Sequence, residues 1–131
     1  MKYLSNYMQE KQTALFKETK TFFAFSEKQL IEGMKENNIN NKNLICSVGS
    51  GMVTLKENSK KLIDGLEKIY IESIAQDIEE NGIEKIIERE LNNHECGYTG
   101  EIDIVVSILA DYKISEEQII TVFRKMDFSD Y

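Results

Sequence analysis

The residues with the most chemical potential lie in one short polar segment, residues 92–101, which we call the focal loop. It holds the only histidine of the chain and one of its two cysteines. His94, Glu95 and Cys96 are consecutive, and each can act as a metal ligand or in proton transfer. The loop could therefore contact a ligand or a partner, and the other residues that would take part are Tyr98, Thr99 and Glu101.

A metal site is one chemical alternative for the focal loop. It requires three or four ligands that converge in space, whereas consecutive residues diverge on a helix or a strand. At most two of His94, Glu95 and Cys96 could therefore share an ion, and Cys46 is the only other thiol. A zinc site made of His94, Cys96, Cys46 and a carboxylate is a minor alternative. We expect no metal and no other cofactor.

A cysteine–histidine pair is a second alternative, in which His94 would lie beside Cys96 or Cys46 and activate the thiol. A purely structural interpretation is favoured over both. In it, His94 caps the preceding helix or binds a buried backbone group. Cys96 is a small buried apolar residue, and Gly97 and Gly100 allow the chain to turn. The loop then leads into the next helix, which Thr99 would cap and whose positive end Glu101 would favour.

The negative charge is concentrated just before and within the focal loop. Residues 77–103 contain nine acidic and two basic residues, a net charge of −7 that equals the net charge of the whole chain. This pattern is typical of a solvated face, and it also suits a docking surface for a basic partner. Contact with a phosphate backbone through it is disfavoured. The acidic surface is predicted to include Asp77, Glu80, Glu84, Glu88 and Glu90.

Hydrophobic periodicity and turn signals predict an α+β fold, with a small antiparallel sheet of about three strands and about five or six helices. Helices are expected over residues 3–18, after a Ser26–Gln29 capping box, over 59–80, from 83 to about 91, from about 102, and after a second box at Ser115 and Gln118. Leu30, Ile31, Met34 and Ile83 are expected to face inward. Strands are expected over 21–25, 44–48 and 52–55, with 21–25 buried, and the tail from Asp127 to Tyr131 is expected to fray.

Composition and length limit the class of protein. The chain has 131 residues, of which 41% are hydrophobic and 30% charged, and no proline. We expect a single folded domain over residues 1–131. No signal-peptide pattern opens the chain and no apolar run is long enough for a membrane span, so a cytoplasmic protein with reduced thiols and no membrane contact is expected.

Two further patterns suggest binding of anions or nucleic acid, but each has a simpler interpretation. Gly49-Ser50-Gly51 could present amides to an anion, yet no lysine follows it as in a phosphate loop, and a hairpin turn is favoured. The last two helices have the spacing of a helix-turn-helix unit. Since the second of them has only Arg124 and Lys125 as basic residues, direct DNA binding is disfavoured.

Three motifs occur in order along the chain: Phe22-Phe23-Ala24-Phe25-Ser26 with Gln29 and Gly33, then Gly49-Ser50-Gly51-Met52, then the run from Glu90 to Glu101. Together they resemble a family of small uncharacterised bacterial proteins that recur on phages and mobile elements. The resemblance covers about residues 10–125. It implies that the chain is one of the small accessory proteins that phages and mobile elements encode and that often act on host machinery. It implies no catalytic role for any residue.

The sequence thus favours a non-enzymatic interaction protein of a phage or mobile element. It would bind a host protein with a basic surface, such as a CRISPR nuclease of the host defence, and inhibit it. The alternative is a ligand-binding or enzymatic domain centred on His94, Glu95 and Cys96. A homo-oligomeric scaffold is a third interpretation.

Overall fold

The computed structural model describes residues 1–127, so most of the tail predicted to fray lies outside the described residues. The chain divides into two compact units, Met1–Ser73 and Ile74–Tyr131, and each is described by itself. The expectation of a single domain stays a prediction.

The predicted α+β class is confirmed. Residues 1–127 form seven α-helices and one three-stranded antiparallel sheet. The number of helices exceeds the prediction because a single helical turn forms inside the focal loop. The elements are α1 (Leu4–Thr19), β1 (Phe22–Phe23), α2 (Glu27–Glu36), β2 (Ile45–Gly49), β3 (Met52–Leu55), α3 (Ser59–Asn81), α4 (Ile83–Asn93), α5 (Cys96–Thr99), α6 (Asp103–Leu109) and α7 (Glu116–Lys125). Short 3₁₀ turns cover Lys42–Leu44, Lys56–Asn58 and Ala110–Tyr112.

The first unit is organised around the sheet, whose strand order is β1-β3-β2. Strands β2 and β3 form the predicted hairpin through Gly49, Ser50 and Gly51, and all three residues have positive φ. Two glycines in three positions make that backbone accessible at little cost. The hydrophobic core of this unit joins α1, α3 and β2, and it consists of Leu15, Leu62 and Ile69 with Met8, Phe16, Val48 and Leu66 packed against them.

The strand predicted over residues 21–25 is shorter and more exposed than expected. Only Phe22 and Phe23 pair with β3, and Phe25 is 74% exposed. The Phe22 ring packs so closely on Gly33 of α2 that a Cβ added there would lie 2.2 Å from the ring. Because side chains alternate along a strand, Phe23 then points to the other face and is exposed. The expectation of a buried strand was therefore wrong.

Helix α2 begins as predicted, since the Ser26 hydroxyl accepts a hydrogen bond from the Gln29 N–H at 3.2 Å. The Gln29 side chain accepts from the N–H of Phe25 rather than from that of Ser26. Met34 is buried as expected and Leu30 is half-buried, whereas Ile31 is 54% exposed and was wrongly expected to face inward.

The second unit is helical and begins within α3. Gly82, with φ of 78°, separates α3 from α4 as predicted. Helix α4 contacts α6 and α7, and these helices share a core in which Ile86, Leu91, Val105, Leu109 and Ile119 are completely buried. Ile83, in the first turn of α4, is exposed and does not face inward as expected.

The second predicted capping box is confirmed in full at the start of α7. The N–H of Gln118 donates to the Ser115 hydroxyl at 3.1 Å, and the N–H of Ser115 donates to the Gln118 side chain at 2.8 Å.

Across residues 1–127, no helix combines the length and the apolar character that a membrane crossing requires.

Candidate functional site

A buried charge network occupies the centre of the second unit. Asp77 of α3 and Arg89 of α4 are joined by two hydrogen bonds of 2.9 Å, from Nη1 to Oδ1 and from Nη2 to Oδ2. The Tyr112 hydroxyl donates to Asp77 Oδ2 at 2.5 Å, and the Asn81 amide donates to Oδ1 at 2.8 Å. The Asp77 carboxylate thus receives four hydrogen bonds although its side chain is completely buried.

These bonds determine the protonation states in the network. Burial by itself would raise the pKa of Asp77, but the hydrogen bonds from Arg89, Tyr112 and Asn81 outweigh it and hold that pKa below its ordinary value. Burial acts to lower the pKa of Arg89, and the carboxylates of Asp77 and Glu90 raise it instead. The pKa of Tyr112 is raised, first by burial and then by its bond to Asp77. Asp77 is therefore ionised and Tyr112 neutral at physiological pH.

The network extends from Arg89 towards the focal loop. Arg89 Nε donates to Glu90 Oε1 at 2.9 Å. Glu90 Oε2 lies 3.6 Å from His94 Nε2, and the His94 side chain is 24% exposed. A line of charged groups therefore connects the buried Asp77 to the partly exposed imidazole.

The burial of Asp77 and Glu90 changes the composition of the acidic surface. Both were expected on that surface, but Asp77 is 0% and Glu90 7% exposed, so neither can form part of it. Arg89 explains the difference, because two carboxylates paired with one buried guanidinium can be taken out of water together. Glu80 and Glu84 are exposed as expected, and Glu88 is half-exposed with its carboxylate 3.4 Å from Lys85 Nζ.

The focal loop follows a course that agrees in part with the structural interpretation. His94 is the C-cap residue of α4, and Glu95 adopts a left-handed φ of 54° before the single turn α5. Cys96 is completely buried, as that interpretation expected, and burial raises the pKa of its thiol. The His94 side chain lies next to the Glu90 carboxylate. The side chains of Glu95, Tyr98, Thr99 and Glu101 are exposed.

The end of the loop differs from the prediction. The Thr99 hydroxyl accepts a hydrogen bond from the Glu101 N–H at 3.2 Å and does not cap α6. Ile102 is the N-cap residue of that helix, and Asp103 is the acidic residue in its first turn. The two expected roles of Thr99 and Glu101 were wrong because α6 begins later than the position of the last loop glycine suggested.

The side chains of the focal loop, residues 92–101, do not assemble into a set of metal ligands. Within residues 1–127, no group of three or more histidine, cysteine, aspartate or glutamate residues is arranged to hold a metal ion.

A groove between α4 and α7 adds a feature that the sequence did not reveal. It has a volume of about 440 Å³ and its apolar lining comes from Ile83, Ile87 and Val122. One carboxylate from each helix, Glu84 and Glu117, also lines it. Both carboxylates are exposed. The local signal for this groove was the pair Ile83 and Ile87, one helical turn apart in α4. The sequence does not indicate which other helix packs beside them, because that depends on tertiary packing.

The charges of the two units have opposite signs. Residues 1–73 hold nine acidic and eleven basic residues, a net charge of +2. Residues 74–131 hold fourteen acidic and five basic residues, a net charge of −9. The groove thus belongs to the strongly acidic unit.

A family model with the description "Family of unknown function (DUF7659)" matches residues 4–126. The chain belongs to this family. The DUF7659 match includes the buried network, the focal loop and the groove, and it confirms the resemblance to a family of uncharacterised proteins. No curated protein and no solved structure is significantly similar to the chain.

Proposed function

We propose that the chain is a protein-interaction domain that binds a basic segment of a partner protein in the groove between α4 and α7. The observation that carries this proposal is the combination of an apolar groove with carboxylates from both of its helices. The net charge of −9 in the same unit adds a long-range attraction for a basic partner.

The groove suits the chemistry of lysine and arginine side chains. Their aliphatic stems can lie on Ile83 and Val122, while the charged ends reach Glu84 or Glu117. Recognition of an amphipathic helix in a groove uses the same combination of apolar anchors and charged rims. Nucleic acid is disfavoured as a partner for this surface, because its phosphates would meet the acidic side chains of the groove.

The narrower form of the proposal concerns the partner. In it, the protein is encoded by a phage or mobile element and works in the host cytoplasm on a host protein with a basic surface. In this narrower form, the partner is a CRISPR nuclease of the host defence, and the chain would inhibit it. Self-association through the groove is disfavoured, because it would bring two acidic surfaces together.

The test compares two charge-reversed variants of equal net charge. Glu84→Lys with Glu117→Lys changes the groove, and Glu10→Lys with Glu32→Lys changes two exposed acids of the first unit. Partners captured from host lysate are identified by mass spectrometry, and the Kd of each purified partner is measured at two salt concentrations. We expect the groove variant to lose affinity at least about tenfold and the control to lose little. If both variants bind every partner as the unaltered chain does, the proposal is wrong.

The rival function, an enzymatic or ligand-binding domain centred on His94, Glu95 and Cys96, has less support. Cys96 is completely buried and its pKa is raised, and both properties disfavour a reactive thiolate. Native mass spectrometry of the purified protein checks this rival. A bound small molecule that is lost in the His94→Ala variant would favour it over the interaction domain.

A further inference from the structure

We propose that a cavity in the first unit, separate from the groove, binds a mononucleotide. The cavity has a volume of about 340 Å³, within the range of about 300–1,000 Å³ that is typical of small-molecule sites. Three segments that are distant in sequence form it: the end of α1, the loop after α2, and the chain that follows β3.

The lining provides each of the three contacts that a nucleotide needs. Ile39, Leu44 and Leu55 form an apolar surface on which a base can lie. The amides of Asn38, Asn40 and Asn43 can donate to and accept from the edge of a base. Lys20 and Lys56 provide positive charge for a phosphate, and Glu57 can accept a hydrogen bond from a ribose hydroxyl.

These polar groups are available to a ligand. Within residues 1–127, the ammonium groups of Lys20 and Lys56 have no ion-pair or hydrogen-bond partner. The same holds for the side-chain amides of the three asparagines, in contrast to the neighbouring Asn37 and Asn41, whose side chains bind backbone groups. The exposed lysines of this unit include two that are paired, Lys42 with Glu27 and Lys61 with Glu18.

Two walls of the cavity are joined by a buried network of hydroxyl groups. Thr19 is bonded to Thr21 at 2.6 Å, and Thr21 is bonded to Thr54 at 3.1 Å. The carbonyl of Thr19 also accepts from the Thr54 hydroxyl at 3.1 Å and from the Asn58 amide at 3.0 Å. Lys20 directly follows Thr19, and Lys56 lies between Thr54 and Asn58, so the network holds the two lysine backbones in place.

The third wall is fixed at the end of α2. The Ile39 N–H donates to the Met34 carbonyl at 2.8 Å, and Ile39 is 7% exposed. This anchor leaves Asn38 and Asn40 exposed on either side of it. Asn38 and Lys20 both have left-handed backbone conformations, with φ of 59° and 56°. Both conformations belong to the ends of helices, since Lys20 is the C-cap residue of α1 and Asn38 directly follows the C-cap residue of α2.

The test uses NMR titration of the ¹⁵N-labelled full chain with AMP, GMP, CMP and UMP, and with adenosine and inorganic phosphate as part-ligands. We expect at least one mononucleotide to cause saturable shifts in the amide signals of Asn38, Asn40 and Lys56. Adenosine and phosphate alone should bind at least about tenfold more weakly, because each lacks one set of contacts. Absence of saturable shifts up to about 10 mM of every mononucleotide would overturn the proposal, and so would equal binding of phosphate alone.

Two variants locate the binding. Lys20→Gln with Lys56→Gln should weaken the mononucleotide at least about tenfold. Lys17→Gln with Lys60→Gln is the matched control, because both lysines are exposed in the same unit and neither lines the cavity. Equal loss in both variants would show nonspecific attraction and would overturn the assignment. Because the groove lies in the other unit, this result is independent of the partner-binding test.

Discussion

Arg89 and Asp77 face each other through two parallel hydrogen bonds of 2.9 Å, with side chains that are 3% and 0% exposed. This geometry lets a guanidinium and a carboxylate satisfy each other in the interior, where either alone would be highly unfavourable. The pair also joins α3 to α4 across the break at Gly82.

Replacement of Arg89 by methionine should lower the free energy of unfolding by about 3–5 kcal/mol, because it leaves the Asp77 and Glu90 carboxylates without their shared cation. Urea denaturation followed by circular dichroism measures the change. Lys85→Met is the control on the same helix, since the Lys85–Glu88 pair is at the surface and should contribute at most about 1 kcal/mol. Similar losses in the two variants would contradict the assigned role of Arg89.

Acidification should destabilise the protein in part through Asp77. The folded-state pKa of Asp77 is below that of the unfolded chain, which is about 3.9. The ionised carboxylate therefore contributes stability above that value, and the contribution is lost as the pH falls through the folded-state pKa. Asp77→Asn should be less stable at pH 7 and lose less stability on acidification. Parallel curves of unfolding free energy against pH for the two proteins would refute this.

Removal of the Tyr112 hydroxyl should have an effect with the opposite pH dependence. Tyr112→Phe deletes the 2.5 Å hydrogen bond to Asp77 and should cost about 1.5–3 kcal/mol at neutral pH. Since the folded-state pKa of Tyr112 is raised, its contribution is complete below the unfolded value of about 10 and is lost as the pH rises towards the folded-state value. The variant should therefore show a smaller alkaline loss. The control is Tyr98→Phe, at a position that is 78% exposed. It should leave the unfolding free energy at neutral pH and the alkaline loss of stability nearly unchanged.

The two cysteines should differ strongly in reactivity. Cys96 is completely buried with a raised pKa, whereas Cys46 is half-buried. A thiol reagent added to the native protein should label Cys46 first, and Cys96 should react only after denaturation. The Cys46→Ser variant isolates the signal of Cys96. Rapid labelling of that variant under native conditions would restore the case for a reactive focal loop.

Gly33 is required by its contact with Phe22. An alanine Cβ at this position would lie 2.2 Å from the Phe22 ring, so Gly33→Ala should destabilise the first unit by about 1–3 kcal/mol. A second change, Phe22→Leu, removes the ring and should recover part of the loss. Thermal unfolding of the two single variants and the double variant measures the recovery, and a loss in the double variant that equals or exceeds the sum of the two single losses would contradict the contact.

The sequence predicted the fold class and most element boundaries because those depend on local signals. Ser26 and Ser115 cap the helices that begin directly after them. The hairpin glycines determine the conformation of the turn in which they lie. Burial in the aromatic strand was harder to predict, since the direction of Phe22 depends on Gly33 in the next helix.

The candidate sites were less predictable, because they depend on pairing between distant residues. Asp77 and Glu90 were predicted at the surface because acidic residues usually are exposed. Arg89 appeared only as one base in an acidic run, and nothing local indicated that it would be buried with both of them. The threonine network was likewise hidden, since Thr21 and Thr54 are separated by 33 positions and meet only across the sheet.

That network has a consequence for the order of folding. Three of its bonds, two from hydroxyl groups and one from the Asn58 amide, join residues 33, 35 and 39 positions apart, so these three can form only after the β-hairpin has docked on the end of α1. A partly folded chain would have both lysines and all three asparagines of the cavity, but they would not be arranged around one space. Ligand affinity should therefore appear late in refolding, after the helical signal has recovered.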